Sequence, residues 1–438
     1  MKFKGLLTAV IVLAALGGGV YWSDRKKAAE EKEPAKDAPP KVLTIAEDQF
    51  KSISLKKAAG DTTVVQKSAA GKWEIAQPKP LAADQDSISS LVSTLSSLTS
   101  DRLIEETTSD LASYGLASPA LEVVVTKKDG KTEDLLIGDD TPTGGSTFVK
   151  LKSDPRIFSV SSGVKSSLDK TSKDLRDKRL LTFDSDKLTR VELVAKGPAI
   201  EFGKNNQNEW QIIKPKPLRA DGSQVEELVR KLKDAKMDTD ADPAKSVSAF
   251  ATGTRVAVVT VADSSGTQTL EIRRDKDKNY YAKSSVLDTV YKTAADIGDG
   301  LDKDLDSFRN KKLFDFGFND PTKLTVNKTT YEKSGDKWMS AGKEMDSGSV
   351  QAVIDKLRDL SSTKYLETGA GEPVMELAVT SGDGKRNEKV TIMKQGATFI
   401  AKRENEPSVY ELDAKAVEEL QKTASGVKAA PPADTKKK

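Results

Sequence analysis

Residues 73–84 read WEIAQPKPLAAD, and residues 210–221 read WQIIKPKPLRAD. The blocks share one offset of 137 positions: Trp73 to Trp210, Pro78 to Pro215 and Asp84 to Asp221. Three markers at one spacing require an internal repeat, so the chain is built from copies of one domain-sized unit. A third block, KWMSAGKEMD at 337–346, keeps Trp338 and Asp346 but lacks Pro-x-Pro and is three residues shorter. After each aspartate an apolar stripe follows at i, i+3, i+4, i+7: Ile88, Leu91, Val92, Leu95, then Val225, Leu228, Val229, Leu232, then Val350, Val353, Ile354, Leu357. That period predicts three amphipathic helices, each with one face free to cover a sheet. Asp84, Asp221 and Asp346 stand where an N-cap accepts a first-turn amide, and Gln224 completes a capping-box pattern with Asp221.

The flanks of each helix are strand-like. Three short β-rich runs precede it, and a hairpin follows, as in LEVVVTKKDGKTEDLLIG (121–138) and RVAVVTVADSSGTQTLEIR (255–273). Two more strands and a closing helical stretch complete the unit as β-β-β-α-β-β-β-β-α. The expected class is α+β: three repeated antiparallel-sheet-plus-helix units behind an N-terminal transmembrane helix. The expected boundaries are a membrane anchor at 1–23, a charged tether at 24–41, repeats at 42–180, 181–313 and 314–424 (the last degenerate), and a disordered tail at 425–438.

The anchor is read from residues 5–22, an uncharged, mostly apolar run ending in Tyr21 and Trp22. Eighteen residues lie near the lower limit for a bilayer-spanning helix, and the aromatics suit the interface. A cleaved signal peptide is the rival reading, with Ala15-Leu16-Gly17 as its cleavage site. The tether DRKKAAEEKEPAKDAPPK cannot bury apolar area. A short N-terminal tail before a large polar body predicts a single-pass protein of a bacterial inner membrane, with its body in the periplasm.

Composition removes several chemistries. The chain has no cysteine and no histidine, so thiolate nucleophiles, disulfides, cysteine metal sites and the commonest general base are absent. Lys+Arg is 70 and Asp+Glu is 67, interspersed, so no basic face for nucleic acid is legible. Asp238, Asp240 and Asp242, and Asp302, Asp304 and Asp306, alternate like calcium-loop ligands but lack the required Gly and Glu. No cofactor and no catalytic set is expected.

The Trp–Pro-x-Pro–Ala-Asp–helix block is followed by Tyr114-Gly115-Leu116 and Pro119 before a strand and a DG hairpin. This combination resembles the bacterial domain-of-unknown-function 4340 family. The resemblance covers most of 42–313 and, more weakly, the third copy. It implies a membrane-anchored envelope protein whose gene stands beside an ABC-type transport system of the gliding-motility kind, and it brings no catalytic residues.

Trp73, Trp210 and Trp338 are expected as core anchors, the two Pro-x-Pro pairs as connectors, and Tyr114, Gly115, Leu116 and Pro119 as a turn that could form a functional loop. The expected function is a non-enzymatic accessory or scaffold of an ABC-type transporter. The alternative is a periplasmic module binding cell-wall glycan or lipid.

Overall fold

The structure, a computed structural model, describes residues 40–319 and 321–431. The expected anchor, including 5–22, lies outside the described residues, as does the tether up to residue 39. Among the described residues no helix is long and apolar enough to cross a membrane.

The chain divides into two compact units, the first ending at Lys178 and the second being Arg179–Lys438. The first holds one nine-stranded antiparallel sheet and the second holds two. Numbered one to nine in chain order, the strands of all three sheets line up 4-3-2-1-6-7-8-9-5. The third copy is therefore complete in topology, although its sequence has drifted most.

The three stripe-bearing helices form as the periodicity requires: α1 (Gln85–Ser96), α2 (Gly222–Asp234) and α3 (Ser347–Asp359). Each connects the fourth strand, at one edge of its sheet, to the fifth, at the opposite edge. The stripes join the strand residues in three separate cores, one per copy.

Two strands per copy escape the sequence pattern. The fourth (Leu81–Ala82, Leu218–Arg219, Lys343–Met345) and the fifth (Arg102–Glu105, Met237–Asp238, Ser362–Leu366) are two to five residues long. Runs that short show no readable alternation. The helix Pro243–Thr252 was also not anticipated. Asp242 caps it, accepting from the Ala244 and Lys245 amides, with Pro243 in the first turn.

The ends of the repeats differ from expectation. Lys41–Thr44 is already a strand paired with Ser97–Thr99, and Pro40 O accepts both the Ser100 amide and hydroxyl at 2.9 Å. The expected tail from 425 also begins too early. Val427 packs on the third core, the Asp346 amide donates to Lys428 O at 2.9 Å, and Ala430 N donates to Glu344 O at 2.9 Å. The reason is architectural. In every copy the capping aspartate's own N–H bonds to the closing segment: Asp84 to Leu175 O, Asp221 to Phe308 O, Asp346 to Lys428 O. Residues 427–430 are the third copy's closing segment.

Candidate functional site

The repeat markers are placed as structural parts. Trp73, Trp210 and Trp338 are buried in their cores, and Lys67 and Lys204 lie 5.2 and 5.0 Å from the Trp73 and Trp210 ring centroids. Asp84, Asp221 and Asp346 each accept first-turn amides, as N-caps do. The capping box at Asp221 does not form: its N–H is taken by Phe308 O, and Gln224 Oε1 accepts from Lys303 Nζ at 3.2 Å. Pro78 and Pro215 follow cis peptides in the connectors between third and fourth strands. The third copy makes this connection with Ala341 and Gly342, φ 46° and 78°. Two consecutive positive φ angles match the tight two-residue hairpin turn, which accounts for the shorter spacing from Trp338 to Asp346.

Tyr114, Gly115 and Leu116 close the second face of the first sheet. The Tyr114 hydroxyl donates to Glu105 Oε1 at 2.6 Å, which raises its pKa, and its ring meets Phe148 edge-on at 5.0 Å. Gly115 has φ 67°, and a Cβ on Gly138 would stand 2.1 Å from Tyr114 O. Two glycines thus permit a backbone-to-backbone contact that side chains would forbid. Pro119 is half-buried ahead of the sixth strand, Leu121–Lys127.

A buried polar constellation lies elsewhere, where the second and third sheets meet within one unit. Arg219, in the fourth strand of the second sheet, donates from Nη1 to both Asp315 oxygens at 2.8 Å and from Nη2 to Lys312 O at 2.6 Å. It also pairs with Glu406 at 2.9 Å and reaches the Tyr410 hydroxyl at 3.2 Å. Burial works against its charge, but Asp315, Tyr410 and Glu406 overcome that, so its pKa lies above the usual arginine value. Arg403 pairs with Glu406 at 2.7 Å and Glu388 at 3.1 Å. Glu388 Oε1 also accepts the Asp315 amide at 2.8 Å, while burial raises its carboxyl pKa. Arg309 completes the seam: its guanidinium lies 3.4 Å from the Tyr365 ring centroid and donates to Ser408 at 3.0 Å. Arg386 pairs with Glu209 beside this network.

A cavity of about 310 Å³ opens next to it, lined by Trp210, Gln211, Arg219, Glu226, Asn310 and Arg386 among others. Its lining is mostly polar, with Trp210 as its aromatic residue. Arg403 with Glu388 and Glu406 is a pairing within the third copy, while Arg219 and Arg309 reach from the second copy to Asp315, Glu406, Tyr410 and Ser408 of the third and so bind one copy to the next. Among the described residues no group of three His, Cys, Asp or Glu is placed to hold a metal.

The stretch FRNKKLFDFG (308–317), which carries Arg309 and Asp315, reads as the seam between copies, but the pairings made there are not legible in the sequence. Arg219 stands where the first copy has Ala82 and the third has Glu344, so the repeat is not kept at this position.

The sequence model of the domain of unknown function (DUF4340) matches residues 73–209 and again 210–378. The chain belongs to the DUF4340 family. The two matches abut at Trp210 and are out of step with the sheets. Each begins at a third strand, and the first runs on into the second strand of the next copy. The second match runs on past the third copy's crossover helix and ends inside its sixth strand, Glu372–Ser381. No curated protein and no solved structure matches the chain.

Proposed function

We propose that this DUF4340 protein is a non-enzymatic envelope scaffold. It is anchored in the inner membrane through residues 5–22, extends its sheets into the periplasm, and serves as the extracytoplasmic accessory of an ABC-type, gliding-motility-like transport system. The observation that carries the reading is the seam. Arg219 and Arg309 of the second copy hold Asp315, Glu406 and Ser408 of the third, a cross-copy tie of the kind a rigid spacer needs. The apolar run at 5–22 supports the anchor, and the family resemblance supports the transporter partner.

The test is affinity capture of the tagged full-length chain from detergent-solubilised membranes. Recovery of transporter subunits is the expected result, and their absence from every capture sinks the partner. Protease shaving of spheroplasts carrying a C-terminal tag checks location: the tag should be digested while the cells stay intact.

A further inference from the structure

The three copies treat one groove differently. It runs between the crossover helix and the closing segment. In the second copy Lys231 fills it, lying so close over Gly300 that a Cβ there would come within 2.6 Å of Lys231 Cδ, and Lys303 bonds to Gln224 across it. In the third copy Lys356 bridges it to Glu419 at 2.7 Å. Lys231 and Lys356 stand six positions after the first stripe residue, Val225 or Val350. The first copy has Thr94 at that position, six after Ile88. Opposite, Gly300 and Glu419 each precede a buried leucine, and the first copy has Ser167 there, before Leu168.

The first copy therefore keeps the groove open. Its volume is about 360 Å³, and Ser87, Ser90, Thr94, Ser167, Lys170 and Lys178 form its polar lining, with Leu91 and Leu175 at the floor. That volume lies within the range of small-molecule sites. Ser90, Thr94 and Ser167 spend their hydroxyl protons on backbone carbonyls of their own helices. Each oxygen is left with lone pairs to accept from a ligand hydroxyl. Lys170 and Lys178 make no side-chain hydrogen bond or ion pair among the described residues, so two ammonium groups stand ready to donate. Asp174, also in the lining, accepts the Thr171 amide and hydroxyl on Oδ2 at 2.8 and 2.7 Å, and its carboxylate shares the field of Lys170 and Lys178, so a ligand anion competes with it for the two ammonium groups.

We propose that this groove of the first copy binds a sugar ring bearing one anionic group. Ring hydroxyls donate to the serine and threonine oxygens, the lysines take the anion, and the ring's C–H face lies on Leu91 and Leu175. The inference is independent of the transporter reading, which concerns the seam and the anchor.

Isothermal titration of the purified full-length chain with D-glucuronate and with glucose 6-phosphate tests it. Glucose and inorganic phosphate serve as single-feature controls. At least one charged sugar should bind at least tenfold more tightly than either control; which one does so decides between carboxylate and phosphate. The Thr94→Lys variant installs the residue that the other copies use, so it should fold with an unchanged thermal transition and lose that binding by at least tenfold. A Lys170→Ala, Lys178→Ala variant should lose it as well. Equal binding of inorganic phosphate alone would reduce the groove to an anion site and overturn the sugar. Undiminished binding by Thr94→Lys would place the ligand elsewhere, and no binding of either charged sugar at millimolar concentration would end the proposal.

Discussion

Trp73 and Gln85 bond as though they were neighbours on adjacent strands: the Trp73 N–H donates to Gln85 Oε1 at 2.9 Å, and Gln85 Nε2 donates back to Trp73 O at 2.9 Å. The first residue of α1 thus finishes an edge that the two-residue fourth strand is too short to pair. In the second copy the equivalent position is Gly222, and both Gly222 and Trp210 line the 310 Å³ cavity. One substitution between copies separates a closed edge from an open cleft.

Gln85→Ala should therefore destabilise the first copy by about 1–2 kcal/mol, since two part-buried backbone groups lose their partners. Gly222→Gln should act in the opposite direction by closing the cleft and removing a helical glycine. Calorimetric melts of the full-length chain report both. A Gln85→Ala transition indistinguishable from the parent would mean that water replaces the side chain without loss.

Trp73→Ala and Trp210→Ala should each lower the transition of their own copy by about 3–5 kcal/mol, the usual cost of emptying a large aromatic core site. Both indoles are 7% exposed and sit in the same register beneath matching helices. An unchanged melt for Trp73→Ala would contradict the core assignment.

What the sequence showed and what it hid follow one physical rule. The stripes Ile88–Leu95 and Val350–Leu357, the caps and the hairpins are local patterns, written within a dozen residues, and they were readable. The fifth strands were not. Met237 and Asp238 are strand only because Thr293 and Lys292 lie beside them. The seam is less local still: Arg219 meets Asp315, 96 positions away, and Tyr410, 191 away. No periodicity encodes such a pairing. The stretch 308–317 marked the seam but not its pairings. The closing segment at 427–430 was hidden by composition, because VKAAP resembles the tail that follows it.

Arg219→Ala should be among the most damaging single changes in the second unit. It would leave Asp315 and Glu406 facing each other with half their compensation gone, a loss of about 3–5 kcal/mol for a broken buried pair. Arg219→Lys should recover only part of it, because a lysine cannot reproduce the fork that meets Asp315, Lys312 O and Glu406 together. Urea denaturation followed by tryptophan fluorescence, which reports Trp210 and Trp338 in this unit, measures the difference. Full recovery by lysine would reduce the network to a simple charge pair.

The seam should also give stability a pH dependence of opposite sign to ordinary acid unfolding. Burial raises the Glu388 pKa above its usual 4.5, with the nearby Asp315 carboxylate adding to the rise and Arg403 opposing it. The fold therefore holds that proton more tightly than the unfolded chain does. Its contribution is full below 4.5 and falls away as pH rises through the higher folded-state value. Asp263 behaves in reverse. Bonds from the Ser265 hydroxyl and from the Asp184 and Ser265 amides lower its pKa to about 2, so its contribution is present above 3.8 and lost as pH falls toward 2. Melts of the full-length chain from pH 3 to 8, compared with Glu388→Gln, separate the two. Glutamine keeps the acceptor for the Asp315 amide but carries no charge. It should remove the decline on the alkaline side while leaving the acid side unchanged. A Glu388→Gln profile parallel to the parent's across that range would show that Arg403 keeps Glu388 ionised throughout, and the seam would then carry no titrating group.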